Sequence, residues 1–177
     1  TRPWFFLQTA HTTYGIRVME TVHLEHLYYG ERITVDLQDP SSCAPLVIQR
    51  AFAPGNTCTY DREHPQISME DVCLEVGTLG KGDFREPFLD VRFADGSVTT
   101  DFTFDSYEVI TLKEREQCLQ DSGLPHSYSE AETDSAECLQ IVLQDVTNRL
   151  ELQLLYTVFE ECDVITRSAR LINHSDA

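Results

Sequence analysis

The chain has 177 residues, with 13 basic and 30 acidic side chains and a formal net charge of −17. This length allows one domain with a hydrophobic core, and the acidic excess argues against nucleic acid and anionic membranes as partners, because both attract basic proteins. No apolar run approaches the roughly 18–20 residues of a membrane-spanning helix, so no membrane association is predicted.

Strands are the main prediction from the first part of the chain. Residues 14–18 and 22–29 alternate between apolar and polar side chains around Glu20 and Thr21, which predicts a first antiparallel pair. Three segments rich in proline, glycine, serine, aspartate and asparagine are predicted to be loops: 39–45, 54–65 and 121–134.

The clearest predicted hairpin spans residues 89–104. Apolar residues alternate with polar ones on both sides of Asp95 and Gly96, a dipeptide typical of the two-residue hairpin turn that needs positive φ angles. We therefore expect the residues before and after this turn to pair as antiparallel strands.

The last part of the chain predicts a second hairpin at residues 138–159, with its turn at 145–148, and a further strand at 164–172. The one predicted helical segment, 113–120, has too few apolar residues to anchor a long helix. Short strands without a long helical pattern are typical of a two-sheet sandwich. The sequence thus predicts an all-β fold, a large two-sheet antiparallel β-sandwich with little helix, as one domain over residues 1–177.

Several polar patterns have a structural explanation that is better than a chemical one. His23 and His26 have a spacing that places their rings on opposite faces of a strand, so we predict no metal site there. The glycine-rich segment 77–82 lacks the spacing of a phosphate-binding loop and predicts a tight backbone turn. The acidic groups are predicted to be solvated surface charges, notably Glu114, Glu116, Glu160, Glu161 and Asp163.

The cysteines are Cys43, Cys58, Cys73, Cys118, Cys138 and Cys162. They form no C-x-x-C pair and do not cluster with histidine. Their even number leaves a disulfide set open, but a domain of this size needs no such bonds, so isolated thiols are the better interpretation. Thiols are typical of the cytoplasm, where we expect the protein.

Four segments, in the same order along the chain, resemble one protein family. They are LEHLYYGERI at residues 24–33, QRAFAPGN at 49–56, GKGDFREP at 80–87 and YTVFEECDVITRSARLINHSD at 156–176. The chain resembles the family-36 glycoside hydrolases, the bacterial-type α-galactosidases, over nearly its whole length. The resemblance implies the N-terminal β-sandwich of those enzymes, so we expect a catalytic (β/α)8 barrel after residue 177.

The resemblance also implies that the catalytic residues lie elsewhere. In the family, the nucleophile and the acid/base are aspartates of the barrel, and the nucleophile's motif begins Lys-Trp-Asp. Here the one tryptophan is Trp4 and no lysine precedes it, so no catalytic residue is expected in this chain. The family hydrolyses its substrate with retention, through two carboxyl groups, and needs no metal or cofactor.

The candidate substrate-binding residues are Gln49, Arg50 and Phe52. Many family members carry Asp-Arg-Ala-Phe here, on a loop that reaches an active site of the assembled enzyme, where the aspartate binds galactose. Gln49 keeps atoms that hydrogen-bond to sugar hydroxyls but brings no charge. The alternative is structural: Arg50 pairs with an acidic neighbour and Phe52 packs under the loop.

The expected function is that of the N-terminal non-catalytic domain of an α-galactosidase, which removes terminal α-linked galactose from oligosaccharides. The expected partners are the α-galactoside, the barrel of the same protein and further copies of it, and the chain alone is expected to be inactive. The alternative is a stand-alone β-sandwich that binds carbohydrate or assists assembly without a catalytic partner.

Overall fold

The computed structural model describes residues 2–36, 38–48, 59–83, 86–120 and 136–175. The elements in chain order are the strands β1 (Trp4–Gln8), β2 (Thr12–Val18), β3 (Leu24–Glu31), β4 (Thr78–Leu79), β5 (Gly82–Asp83) and β6 (Thr103–Thr111), the helix α1 (Leu112–Gln120), and the strands β7 (Glu137–Asp145), β8 (Leu150–Phe159) and β9 (Val164–Asn173). Short 3-10 helices in the described part span Pro40–Leu46, Met69–Asp71 and Glu160–Cys162.

Two antiparallel sheets dominate these elements. One contains β1, β2 and β3 in that order, and the other contains β6, β7, β8 and β9 in that order. The short strands β4 and β5 form a parallel pair. The predicted all-β class, with two antiparallel sheets and little helix, is therefore confirmed, as is the pairing of strands around Glu20 and Thr21.

The chain divides into two compact units, which are described separately. The first comprises Thr1–Phe5, Gly15–Tyr28 and Thr34–Thr103, and the second comprises Phe6–Tyr14, Tyr29–Ile33 and Phe104–Ala177. Strands β4 and β5 thus belong to the first unit, and β7, β8 and β9 to the second.

The core of the second unit lies on β7 and β8. These strands are antiparallel, with Ile141 opposite Leu154 and Leu143 opposite Leu152. On its other side β8 pairs with β9, where Ala169 is opposite Leu154. The most deeply buried apolar side chains of these strands are Cys138, Ile141, Leu143, Leu152, Leu154, Leu155 and Tyr156. The second predicted hairpin and the strand after it are confirmed.

The two sheets contact each other within the second unit through aromatic rings. The ring centroids of Tyr14, on β2, and Tyr156, on β8, lie 6.2 Å apart. Tyr29, on β3, meets Tyr14 edge-on at 5.7 Å, and the guanidinium of Arg167 lies 5.8 Å from the centre of the Tyr156 ring. Such contacts add to the stabilisation from buried area, and the one between Tyr14 and Tyr156 joins the two sheets within this unit.

The first predicted hairpin is partly wrong. Its turn exists: Gly96 has φ +87°, and the Phe93 N–H donates to the Ser97 carbonyl at 2.9 Å. However, no described residue from 86 to 102 lies in a strand, and β6 begins only at Thr103. The flanks bond elsewhere, since the Phe88 N–H donates to Gly77 and the Thr100 carbonyl accepts from Thr78. The outer ends of the flanks are thus attached to Gly77 and Thr78 rather than to each other.

The predicted loop at residues 39–45 is also wrong, because the structure has a 3-10 helix over Pro40–Leu46. Hydrogen bonds three residues apart, from the Ser42 N–H to Asp39 and from the Val47 N–H to Ala44, support it. A 3-10 helix is typically short and often serves as a connector. Small polar residues and proline are therefore compatible with it as well as with an irregular loop. Of the other predicted loops, 54–58 and 121–134 lie outside the described residues.

The predicted helical segment is confirmed by α1, which begins with a reciprocal cap. The Glu114 N–H donates to Thr111 Oγ1 at 3.2 Å, and the Glu114 carboxylate accepts from the Thr111 N–H at 2.8 Å. The bonds from Thr111 lower the pKa of Glu114 below its usual value. This carboxylate is therefore a helix cap, not merely a solvated charge.

Candidate functional site

The three predicted substrate-binding residues, Gln49, Arg50 and Phe52, lie outside the described residues. On their C-terminal side the described chain resumes at Thr59, which forms an isolated antiparallel bridge with Ser68. The next residue leads directly into a polar cluster of the first unit. That cluster is the first candidate site in the described part of the chain.

The Asp101 cluster consists of the side chains of His23, Tyr60, Lys81 and Asp101. Asp101 uses both carboxylate oxygens: Oδ1 pairs with His23 Nε2 at 2.8 Å, and Oδ2 accepts from the Tyr60 hydroxyl at 3.1 Å. Lys81 Nζ lies 3.3 Å from Oδ2. The cluster therefore joins four parts of the first unit that are distant in sequence.

Local backbone features place two members of the cluster. His23 immediately precedes β3, is 4% exposed, and has its Nδ1 3.1 Å from Thr21 Oγ1. Lys81 follows Gly80, whose φ is +78°, in a turn closed by backbone bonds between Thr78 and Lys81. This turn confirms the tight backbone turn predicted for the glycine-rich segment. Glycine is favoured there because other residues adopt positive φ at a cost.

Tyr60 is held on several sides. Its ring meets His23 edge-on, with centroids 4.8 Å apart, and Lys81 Nζ lies 4.7 Å from the ring centre in a cation–π contact. Its backbone N–H donates to the Ile67 carbonyl at 3.0 Å. Both the side chain and the backbone of Tyr60 are therefore fixed to other parts of the first unit.

The electrostatics of the cluster keep the Asp101 carboxyl and the Tyr60 phenol in opposite protonation states at neutral pH. Burial raises the pKa of Asp101, but the hydrogen bond and charge of His23, the charge of Lys81 and the bond from Tyr60 outweigh it, so the pKa is lowered. Burial, followed by the nearby Asp101 charge, raises the pKa of Tyr60 to about 12. At neutral pH the carboxylate is thus an acceptor and the phenol a donor.

A second cluster, in the second unit, surrounds Asp163. This residue has φ +52°, and its Oδ1 accepts from the Thr9 hydroxyl at 2.8 Å and the His11 N–H at 2.9 Å. Its Oδ2 lies 2.7 Å from His11 Nδ1. The bonds from His11 and Thr9 lower the pKa of Asp163. The prediction of a merely solvated charge is wrong here, whereas Glu160 and Glu161 are exposed as predicted.

The histidines singled out in the sequence are used separately. His23 belongs to the Asp101 cluster, while His26 Nδ1 lies 3.7 Å from the Glu75 carboxylate. Within the described ranges, no three or more histidine, cysteine, aspartate or glutamate side chains are arranged to hold a metal ion. His23 thus takes part in a hydrogen bond to Asp101, and His26 lies near a different carboxylate.

A cleft of about 270 Å³ lies in the second unit, beside the turn between β7 and β8. It is lined by Gln144, Asp145, Val146, Arg149, Leu150, Glu151 and His174. His174 Nε2 lies 3.0 Å from a Glu151 oxygen, and Asp145 accepts from the Asn148 side chain at 2.6 Å. The lining contains no tryptophan, tyrosine or phenylalanine ring for a sugar to stack on, so the cleft is a weaker candidate than the Asp101 cluster.

Two further features concern the length of the helices and the cysteine side chains. No helix in the described part of the chain is long and apolar enough to cross a membrane. The four cysteines whose side chains are described, Cys43, Cys73, Cys138 and Cys162, carry thiols and form no disulfide.

The sequence pattern missed the Asp101 cluster. Asp101 lies in the predicted hairpin, where the alternation places it on the strand face opposite Phe102 and Phe104 and indicates no partner for it. Tyr60 and Lys81 fell in segments predicted as a loop and a turn. The sequence signal for this cluster is weak. It consists of a histidine, a lysine and a tyrosine beside turns, and of one aspartate in a segment that the sequence predicts as a strand.

A match to a known family identifies the class of protein to which the chain belongs. Residues 22–177 match the glycosyl hydrolase family 36 N-terminal domain. Because this match covers most of the chain, the chain belongs to that family.

Individual relatives agree with this assignment. The chain is 37% identical over 170 residues to the bifunctional alpha-galactosidase/sucrose kinase AgaSK of Mediterraneibacter gnavus, covering 96% of the chain and 17% of the relative. It is 34% identical over 169 residues to the alpha-galactosidase AgaA of Geobacillus stearothermophilus, covering 96% and 21%. The chain therefore spans about a fifth of the length of these relatives.

Solved structures show the same fold. A variant of AgaA from Geobacillus stearothermophilus, in complex with stachyose, matches with a TM-score of 0.80 and 29% identity, over 97% of this chain and 22% of that one. The galactosidase domain of AgaSK matches with a TM-score of 0.76 and 35% identity, over the same shares. The two-sheet all-β architecture is thus that of the family's N-terminal domain.

Proposed function

We propose that the chain is the N-terminal non-catalytic domain, 1–177, of an α-galactosidase that hydrolyses terminal α-linked galactose from oligosaccharides with retention. The observation that carries the proposal is the family match over residues 22–177, joined to relatives named as alpha-galactosidases. Related structures in complex with raffinose and stachyose support α-galactoside oligosaccharides as the substrate class.

Five of the described carboxyl groups serve structural hydrogen bonds, which agrees with a non-catalytic role for these five. Retaining hydrolysis needs a general acid, which is protonated because its pKa is raised, and a second carboxyl group about 5–5.5 Å away. The pKa is instead lowered at Asp61, Asp95, Asp101, Glu114 and Asp163. These groups are ionised at neutral pH and suit structural bonds. In the proposal, a barrel after residue 177 supplies the catalytic pair, without a metal or cofactor.

The proposal gives the chain three tasks: to support the barrel, to assist oligomer formation, and to bring Gln49, Arg50 and Phe52 to the substrate in a neighbouring active site. Loop residues held by a rigid β scaffold are well suited to binding. The proposal includes a cytoplasmic location, which the four described thiols support, because disulfides are rare in that compartment.

The test compares the full-length protein with the isolated chain on a chromogenic α-galactoside. We expect turnover by the full-length protein and none by residues 1–177. Turnover by the purified chain that disappears when one of its own carboxylates is changed would overturn the proposal. A full-length protein without a barrel that still binds raffinose would instead support the stand-alone binding module.

Gln49→Ala in the full-length enzyme is expected to raise KM about two- to twelve-fold, the range that one neutral hydrogen bond spans. The value of kcat should change little, because a contact to bound galactose stabilises the ground and transition states about equally. Steady-state kinetics on raffinose measures both constants.

Gln49→Asp serves as the matched variant. It restores a charged acceptor, which binds hydroxyls more strongly, so its KM should equal or fall below that of the unaltered enzyme. An unchanged KM in Gln49→Ala would show that the residue has a structural role only.

A further inference from the structure

We propose that Asp163 is the centre of an acid-sensitive latch, which holds the turn between β1 and β2 against the connection between β8 and β9 at neutral pH and releases it in acid. The latch consists of Thr9, His11 and Asp163, all in the second unit. Since β1 and β2 belong to one antiparallel sheet and β8 and β9 to the other, the latch joins the two sheets. The inference concerns a local opening of the domain, and it goes beyond the proposed function.

The contacts between the turn and the connection converge on one carboxylate. Oδ1 of Asp163 accepts from the Thr9 hydroxyl at 2.8 Å and from the His11 N–H at 2.9 Å, and Oδ2 lies 2.7 Å from His11 Nδ1. A backbone bond accompanies them, from the Ala10 N–H to the Glu160 carbonyl at 3.2 Å. Because three of these four contacts share a single carboxylate, one protonation weakens most of the connection.

The neighbouring charged groups are Arg32, Glu160 and Glu161. Arg32 follows β3, and its guanidinium donates to the Thr9 carbonyl. This bond attaches the turn to its own sheet, so it does not hold the two sheets together. The Arg32 guanidinium also lies 3.6 Å from the Glu160 carboxylate, but the two side chains are 44% and 66% exposed, so this ion pair is weak. Glu161 is exposed. These groups therefore do not replace the bonds of Asp163.

The direction of the pH dependence follows from the state of the carboxyl group. The bonds from His11 and Thr9 lower the pKa of Asp163 below its usual value of 3.8, so the group is ionised at neutral pH. Such a group stabilises the closed state above its ordinary pKa, and this stabilisation is lost as the pH falls through the lowered pKa. Protonation weakens the accepted hydrogen bonds, because charge-assisted bonds are roughly twice as strong as neutral ones. The latch therefore opens in acid and stays closed at neutral pH.

The backbone at Asp163 favours release once these bonds weaken. Its φ of +52° lies in the left-handed region, which is costly for residues other than glycine, although aspartate and asparagine tolerate it best. The side-chain bonds to the turn help to offset this cost. The contact between the Tyr14 and Tyr156 rings also joins the two sheets and involves no carboxylate. We therefore expect the opening to be confined to the latch, with the rest of the unit still folded.

The main variant is Asp163→Asn in the full-length protein. Asparagine tolerates the left-handed backbone and keeps an oxygen acceptor, but it is uncharged, like the protonated acid. Amide hydrogen exchange of residues 9–14, divided by the intrinsic rate at each pH, should be about tenfold faster in the variant than in the unaltered protein at pH 7, the factor of one hydrogen bond to a charged group. This ratio should stay constant down to about pH 5 and fall towards one between about pH 4 and pH 2.5, because the unaltered protein then becomes protonated.

Two further variants and a reference region complete the test. Glu161→Gln removes a charge from an exposed position of the same connection, and its exchange at residues 9–14 should stay within about twofold of the unaltered protein at pH 7. His11→Ala removes the imidazole but keeps the Thr9 and backbone bonds to Asp163, so its exchange should be about threefold faster, between the other two variants. Exchange of β8 reports the stability of the unit as a whole and should be the same in all four proteins at pH 7.

Three results would overturn the latch. The first is an Asp163→Asn protein whose residues 9–14 exchange at the unaltered rate at pH 7. The second is a ratio between the two proteins that is the same at pH 7 and in acid, which would show that the titration of Asp163 does not control the opening. The third is an acceleration of β8 by the same factor as residues 9–14, which would show that Asp163 supports the whole unit and not a local latch.

Discussion

Leu154→Ala is expected to lower the free energy of unfolding by about 2–5 kcal/mol, the range for a fully buried leucine. Leu154 is 0% exposed and lies on β8, the strand that pairs with both β7 and β9. Its neighbours across the sheet are Ile141 and Ala169. Because strands on both sides fix the backbone, the cavity left by the missing atoms cannot collapse fully. Urea denaturation followed by far-UV circular dichroism measures the change.

The matched control is the same substitution at Leu171 on β9. That side chain is 42% exposed, so it loses little buried area, and we expect a change below about 1 kcal/mol. If the two leucine variants were destabilised equally, β8 would not be the centre of the core of the second unit.

Arg17→Met is expected to destabilise the first unit by about 3 kcal/mol, through a different mechanism. Arg17 Nε donates to Glu25 at 2.5 Å, and the Glu25 side chain is only 4% exposed. The Arg17 guanidinium also lies 5.5 Å from the centre of the Trp4 ring. Removing the cation leaves a buried carboxylate without its charge partner, which typically costs more than the pair itself contributes. Thermal or urea unfolding at neutral pH measures the loss.

Two further variants test the cause. Arg92→Met removes the same charge from an exposed position, and its unfolding free energy should change by less than about 0.5 kcal/mol. The double variant Arg17→Met with Glu25→Leu removes both charges and should be more stable than Arg17→Met alone. A double variant that is no more stable would show that the loss comes from packing on Trp4, not from the stranded carboxylate.

The parts of the fold that the sequence predicts well are those in which apolar periodicity and strand pairing agree. In β7 and β8 the alternating leucine and isoleucine residues pair directly across a short turn, so the local pattern is sufficient. The segment around Asp95 and Gly96 has the same pattern and an equally good turn, yet it forms no strands. Its flanks bond instead to the Gly77 carbonyl and the Thr78 hydroxyl. Such bonds join residues that are distant in sequence, and a local pattern does not reveal them.

The candidate site shows the same limit more strongly. The sequence could point to Gln49, Arg50 and Phe52 through a family resemblance, but it could not place Asp101 against Tyr60. The pairing depends on where two segments 41 positions apart meet. It also depends on charge: a carboxylate that accepts several hydrogen bonds stays ionised inside the protein, which residue type alone does not predict.

The position of Cys138 has a consequence for chemical labelling. Its side chain is 0% exposed on β7, with Sγ 3.3 Å from the Thr157 hydroxyl on β8, whereas Cys73 and Cys162 are exposed. A thiol reagent therefore reaches Cys73 and Cys162 in the native state, but it reaches Cys138 only when the two strands separate. The rate at which Cys138 is modified consequently reports how often this hairpin opens. The chain thus contains its own kinetic probe of the sheet, with no added label.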